Sequence, residues 1–269
     1  MRIVVCVKQV PDGDSDRRLE DSRVVRGEDD VLNELDEYAV EAAVALVEDL
    51  GGEVVAVTMG PEAAEDAVMR ALQMGADRGI LVSDELLEGS DAPATSAVLA
   101  AVVEVLAKDE PVDMVITGMA SLDGMTSMVA PGIAANLDWP LLDLASELQV
   151  DDDMVVTAKR SADGWEDELT ALVPVVVSVT DQINEPRYPS FKDLRAARSK
   201  PLEMLNLEDL AGFDHGQQLL PRAQAKGLAA VRVIASEPVE REAGIIVTDS
   251  GDGGVRLAEY LREAGVISQ

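Results

Sequence analysis

The stretch Gly118–Pro131, GMASLDGMTSMVAP, carries the densest set of groups that could meet a ligand. Gly118 and Gly124 lack a Cβ and let the backbone approach a bound group closely. Asp123, Thr126 and Ser127 could cap a helix that follows, and the free N–H groups of such a helix suit a phosphate. The plainer reading is a turn with an N-cap, because neither GxGxxG nor a Walker lysine is present. A second candidate, NELDEYAVE, contributes Asn33 and Asp36, which on their own read as capping residues. Cys6 lies inside RIVVCVKQV, where a thiol is more readily a small buried hydrophobe than a nucleophile. Met125 and Met128 can be core, and Tyr38 and Tyr260 half-buried packing. No paired carboxylates, no nucleophile with its base and no metal-ligand spacing stand out, and the single His215 makes a histidine-based triad or metal site improbable. As acid–base chemistry the chain looks unequipped, so something else must carry any reaction.

The elements that must position these groups follow from periodicity. RIVVCVKQV is a β-branched run closed by PDGD, a strand then a turn. From Asn33 the spacing turns helical, with Ala39, Ala43, Leu46 and Leu50 on one face and Gly51 as the stop. EVVAVTMG, GILVS and VDMVITGMA read as further strands. Between and after them PEAAEDAVMRALQMGA, DAPATSAVLAAVVEVLAKD and TSMVAPGIAANL read as helices. Continuous apolar strands imply burial on both faces, hence a parallel sheet between helical layers. The expected fold is a three-layer, doubly wound, mainly parallel α/β domain of adenine-nucleotide α-hydrolase-like type. Ligands in such sheets bind beyond the carboxyl ends of the strands, so the loops starting at Val10, Met59 and Gly118 are the ones to watch.

After Trp139 shorter strands with turns at DDD and ADG predict a small antiparallel addition. From about Lys192 the packed pattern fades: Gln217–Gly227 reads as extended, LAAVRVIAS as a possible strand, and GVRLAEYLREAGVI as an amphipathic helix or arm. The expected division is 1–191 for the α/β domain and 192–269 for the end of a docking loop and a C-terminal arm. A tail of that pattern cannot make its own core and must lie on something.

The 269 residues suffice for a real core, and an aromatic content of 3% against 47% apolar makes that core Val, Ala and Leu. With 22 basic and 52 acidic residues the net charge is −30, which argues against nucleic acid or an anionic membrane as partner. One cysteine forbids an internal disulfide and fits a reducing cytoplasm. No apolar run is long enough to span a bilayer, and the N-terminus lacks a small-residue cleavage site.

The scarce cations are unevenly spent. NEPRYPSFKDLRAARSKP, Asn184–Pro201, gathers Arg187, Lys192, Arg195, Arg198 and Lys200 around Tyr188 and Phe191. The restriction on Glu185 imposed by Pro186 stiffens the exit from the preceding strand. An exposed aromatic ringed by cations is the composition of a protein-docking loop; the alternative is a short surface helix with its phenylalanine turned inward.

Taken in order, VCVKQVPD, NELDEYAVEAA, VTMGP, ALQMGADRGI, GMASLDGMTS, LVPVVVSVTDQINEPRYPSFKDLRAARSKP and REAGIIVTDSGDGGVRLAEYLREAGVI resemble the β subunit of bacterial electron transfer flavoproteins over essentially the whole chain. Asn-Glu-Pro-Arg-Tyr with its basic sequel is the most specific part. The resemblance implies a heterodimer whose α subunit holds most of the FAD. Electrons would arrive from acyl-CoA dehydrogenases, as in fatty acid oxidation, or from similar flavoenzymes, and leave to a membrane quinone reductase. The chain itself would be an electron carrier subunit, not an enzyme, with a tail wrapped on its partner. Most members hold AMP structurally, and electron-bifurcating members hold a second FAD at that site. By position the nucleotide contacts would be Cys6, Asn33, Glu34, Leu35, Asp36, Met59 and the loop Gly118, Asp123, Gly124, Met125, Thr126, Ser127, Met128 and Val129. The docking loop would span about Thr180–Pro201, with Phe191 as anchor and Asn184, Glu185, Pro186, Arg187, Tyr188, Arg195 and Arg198 around it.

The chain departs from the family's usual loop. Met119 stands for a lysine, Ala120 and Met128 for glutamines, Met125 for an aspartate, Ala130 for a glycine, and Glu34 for the proline after Asn33. Those changes remove polar partners for a phosphate. The rival reading is a standalone adenine-nucleotide sensor of the stress-protein type. It would need a loop richer in glycine, and it leaves Asn184–Pro201 without a role.

Overall fold

A computed structural model describes residues 1–13, 18–27, 29–226, 246 and 248–267. In chain order the elements are β1 (Arg2–Cys6), β2 (Gln9–Pro11), β3 (Leu19–Glu20), β4 (Arg23–Val24), β5 (Asp30–Leu32), α1 (Glu34–Leu50), β6 (Glu53–Met59), α2 (Glu65–Met74), β7 (Arg78–Val82), α3 (Ala92–Ala107), β8 (Met114–Gly118) and α4 (Val129–Leu137). There follow β9 (Leu141–Ala145), β10 (Glu147–Val150), β11 (Val155–Ala162), β12 (Trp165–Leu172), β13 (Val175–Val179), α5 (Phe191–Ala197), β14 (Leu202–Leu205), α6 (Leu207–Leu210), α7 (Gly216–Lys226) and α8 (Gly253–Glu263).

Seven strands form one parallel sheet in the order β14-β7-β6-β1-β8-β13-β9. β1, β8 and β13 are buried at every position, which is why their sequences are apolar without alternation. Side chains on one sheet face, such as Ile3, Val5 and Ile116, pack with α1, α2 and Ala197 of α5. Those on the other, such as Val4, Val115 and Val176, pack with α3, α4 and leucines of α6 and α7. This is the expected three-layer α/β arrangement. β10, β11 and β12 make the antiparallel addition, turning at the two expected places, but β13, expected to belong to it, instead pairs in parallel with β8, where its valines are buried on both faces.

The connections from β1 run to β6 on one side and, later, to β8 on the other, so strand order reverses between β1 and β8. The crevice beyond their carboxyl ends is where this class of sheet offers a ligand site. At the opposite end of β1, Arg2 donates to the carbonyls of Leu106 and Glu110 and pairs with Glu53 and Glu110, tying β1 there to the start of β6 and to the α3–β8 connection.

Some local expectations need correction. Gln217–Gly227, read as extended, is helical through Lys226, with Leu219 and Ala223 one turn apart in the core. Pro221 misleads there: it costs the carbonyl of Gln217 its helical partner, and burial of the leucine–alanine stripe compensates. Packing also continues past Lys192. β14 adds an edge strand beside β7, and Leu207 and Leu210 are fully buried. Met125 and Met128 are not core but 59% and 52% exposed. α4 begins at Val129, three residues after the expected start.

The compact units are Met1–Ile234 and Ala235–Gln269. In the second, α8 is amphipathic as expected, and no described residue of it is buried; Tyr260, expected half-buried, is exposed. The possible strand LAAVRVIAS lies outside the described residues. No helix among the described residues is long and apolar enough to cross a membrane.

Candidate functional site

The crevice is held by side chains of the amino end of α1. Asn33 occupies the N-cap position, but its side chain makes no capping bond. Instead its Nδ2 donates to the Ala120 carbonyl at 2.9 Å, and its Oδ1 accepts from the Leu122 amide at 3.0 Å. The fully buried Asn33 therefore pins the loop after β8, and its own amide donates to the carbonyl of Lys8 after β1. Asp36, one turn on, accepts from the Lys8 amide at 2.9 Å. Burial pushes the Asp36 carboxyl up to about 7, against hydrogen bonds from Asn33, Lys8 and Gly118 that favour the anion. Gly118 is a close-approach glycine, but the neighbour is the protein itself: a Cβ there would stand 2.5 Å from the Leu35 carbonyl oxygen and 2.6 Å from Asp36 Oδ1.

Asp123 is not a helix cap. Its side chain is buried and accepts Lys8 Nζ at 2.7 and 3.0 Å and Arg26 Nη2 at 2.6 Å. Burial alone would raise its pKa; Lys8 and Arg26 outweigh that and hold it below the ordinary value. Lys8 and Arg26 were not singled out in the sequence. The lysine within VCVKQVPD is the available signal, whereas nothing local marks Arg26. Past Asp123 the loop turns through Ser121–Gly124, with Met125 and Ser127 at positive φ. No side chain caps α4, although Thr126 Oγ1 accepts weakly from the Met128 amide at 3.4 Å.

The expected nucleotide residues thus gather in part. Asn33 and Asp36 are bonded to the segments after β1 and β8, Asp123 joins them through Lys8, and Gly118 packs closely against Leu35 and Asp36. Cys6 is a buried part of the core at the end of β1, its thiol pushed up to about 12 by burial and the nearby Asp36. Burial that keeps the thiol protonated disfavours the thiolate a nucleophile needs. Met59 ends β6 half-buried, and Glu34 is exposed at the first turn of α1. Gly124, Met125, Thr126, Ser127, Met128 and Val129 line the way from Asp123 into α4.

The second feature is α5. Ser190 and Asp193 form a reciprocal capping box at its start. Phe191, its first residue, is 93% exposed, and Tyr188 is 92% exposed, so the phenylalanine does not turn inward. The cations divide. Arg187 lies on α1, paired with Glu41 at 2.7 and 2.9 Å and with Glu48 at 2.7 and 3.0 Å. Glu48 and Glu41 drive its pKa up, and Arg187 in turn lowers that of Glu48. Lys200 donates to the carbonyls of Leu72 and Ala76, closing the carboxyl end of α2. Lys192, Arg195 and Arg198 make no ion pair among the described residues.

A doubly wound sheet with its switch-point crevice braced by α1, and a capped helix that begins with the exposed Phe191, define a three-layer α/β protein with a candidate ligand crevice and a candidate docking helix. A family model described as "Electron transfer flavoprotein domain" matches residues 22–210. "Electron transfer flavoprotein subunit beta" of Mycobacterium leprae is 36% identical over 267 residues, covering 96% of this chain and 97% of the relative. "Protein FixA" of Azotobacter vinelandii is 36% identical, covering 94% and 90%. "Caffeyl-CoA reductase-Etf complex subunit CarD" of Acetobacterium woodii is 32% identical, covering 99% and 100%. The chain belongs to the electron transfer flavoprotein family, with its β subunits. Its role is therefore electron transfer in association with a flavin.

Proposed function

We propose that the chain is the β subunit of a heterodimeric electron transfer flavoprotein. It would be loaded by flavin dehydrogenases such as acyl-CoA dehydrogenases and discharged by a membrane quinone oxidoreductase, in the cytoplasm. The observation that carries the docking part is the near-complete exposure of Phe191 on a helix that is capped at its start and tied down at its end. Phe191 stands beside the equally exposed Tyr188 among Lys192, Arg195 and Arg198, and that combination, more than exposure alone, is what supports a partner's pocket as its target.

FAD, held mainly by the α subunit, supplies the electron-accepting and electron-donating chemistry when bound. The contribution of this chain is positioning. α1 and the loop after β8 brace the crevice, α5 presents its anchor, and the exposed Val255, Leu257 and Tyr260 of α8 suit a tail lying on the α subunit. The residues through α7 build the sheet, the crevice and the docking helix, with β14 at the sheet edge and Leu207 and Leu210 in the core, so the part proposed to serve the α subunit is the tail beyond them rather than everything after residue 191.

AMP fits the crevice in one respect. The uncapped amides opening α4, beside the hydroxyls of Thr126 and Ser127, suit a phosphate. Lys8 and Arg26 share the one carboxylate of Asp123, so the group keeps a net positive charge that could supplement the backbone amides and hydroxyls toward a phosphate. The nucleotide contacts proposed are those of the crevice cluster together with Cys6, Glu34, Met59 and the Gly124–Val129 turn.

The test is purification of the tagged chain from its own host, with native mass and absorption spectrum recorded together. A one-to-one complex with a second chain, a flavin band and impaired loading of Phe191→Ala with FAD retained are expected. A colourless monomer holding ATP would replace this reading with a nucleotide sensor.

A further inference from the structure

Arg187 lies between two exposed aromatics and the body of the protein, and all its partners are on the body side. Its backbone amide donates to Glu41 Oε2 at 3.1 Å, and its guanidinium engages both oxygens of Glu41 and both of Glu48. Glu41 and Glu48 are seven residues apart on α1, two turns along one face. Asn184 adds a bond from Nδ2 to the Tyr38 carbonyl at 3.0 Å on the same helix. The segment Asn184–Arg187 is therefore laid along α1, and Tyr188 is the first residue to leave it. At the far side Ala197 is fully buried and Lys200 is bonded to the end of α2. Tyr188 and Phe191 stand on a short span fastened at both ends.

We infer that Arg187 is a positioning residue: by clamping Glu41 and Glu48 it sets where Tyr188 and Phe191 meet the electron-donating partner, and it does not itself contact that partner. A guanidinium whose donors are taken by two carboxylates has little left to offer an acidic rim. Holding two aromatics in place before contact lowers the ordering cost of docking, and a small displacement of the anchor would be felt as a weaker encounter. The inference rests on the docking reading above.

The experiment uses the flavin-loaded heterodimer and an acyl-CoA dehydrogenase of the same host, reduced by its substrate, with KM for the carrier and kcat measured separately. Arg187→Gln removes the clamp and the cation together. Glu41→Gln with Glu48→Gln removes the clamp but leaves the cation free for a partner. Both are expected to raise KM for the carrier about tenfold with kcat and the flavin spectrum unchanged, and the combined variant is expected to be no worse than either. A raised KM in Arg187→Gln with wild-type behaviour in the glutamine pair would overturn the inference, because Arg187 would then be acting on the partner. Wild-type behaviour in both, with Phe191→Ala impaired, would overturn it and leave the docking reading standing. Wild-type behaviour in all three would remove the docking reading itself. Should Arg187→Gln fail to assemble, Glu41→Gln alone, which leaves the Glu48 pair, must give an intermediate KM; an unchanged KM there would overturn the inference as well.

Discussion

Asn33 and Ala120 are 87 residues apart in sequence and joined by a hydrogen bond of 2.9 Å inside the protein. The bond ties the first residue before α1 to the loop that leaves β8. Asn33→Ala leaves the Ala120 carbonyl and the Leu122 amide without their partner, and an unmade bond in a buried setting costs more than the bond is worth. The variant is expected to lose about 2–6 kcal/mol, the sum of two unsatisfied groups at about 1–3 kcal/mol each, read as a lower urea midpoint with unchanged slope. A loss below about 0.5 kcal/mol, the level of an ordinary surface substitution, would mean the loop keeps its place without Asn33.

Gly118 makes a second test of the same junction. An added methyl would overlap backbone and carboxylate oxygens of α1, neither of which is a flexible side-chain end. Gly118→Ala is expected to cost about 1–3 kcal/mol, the range for overpacking a closed interior. Gly164, at positive φ with open space around it, is a contrasting position where the cost is conformational alone.

The carboxyl of Asp36 gives the junction a dependence on pH. Its ordinary value is 3.8 and burial brings it to about 7. Between those values the folded protein binds a proton that the unfolded chain has released, so stability falls as pH rises from about 4 to about 7 and is flat above. Asp36→Asn removes the slope. The difference in unfolding free energy between wild type and Asp36→Asn should therefore shift in favour of the variant across that window; a difference independent of pH would refute the raised value.

How much of this was legible in the residues differs by feature. The parallel sheet was legible as far as β8, because β1, β6 and β8 are largely apolar without alternation and burial on both faces explains that; β13, expected in the antiparallel addition, joins β8 in parallel through contacts that local sequence does not show. The crevice was legible as a place, from the loops at the strand ends, but not as a set of bonds. Asn33 and Asp123 both read locally as caps, and only the fold brings Ala120, Lys8 and Arg26 within reach of them. α7 was misread because a proline argues locally for an extended chain while tertiary burial of Leu219 and Ala223 argues otherwise. The cations of Asn184–Pro201 read as one steering cluster, because composition cannot tell an arginine folded back on its own helix from one facing solvent.

That division of the cations yields the last prediction. Lys192, Arg195 and Arg198 are left to steer an acidic partner, while Arg187 and Lys200 are spent on α1 and α2. Steering charges act on the association rate and are screened by salt over about 8–10 Å near physiological ionic strength. Replacing Lys192, Arg195 and Arg198 together by glutamine should slow association with a reduced dehydrogenase about tenfold at low salt, within the range available to electrostatic steering. The same variant should flatten the dependence on ionic strength, so that wild type and variant converge as salt is raised, with the dissociation rate little changed. Lys200→Gln should leave the salt dependence as it is and lower the melting temperature instead, since its ammonium closes the end of α2. A triple variant with the wild-type salt slope, measured by stopped-flow flavin reduction, would show that steering comes from elsewhere on a surface whose net charge is −30.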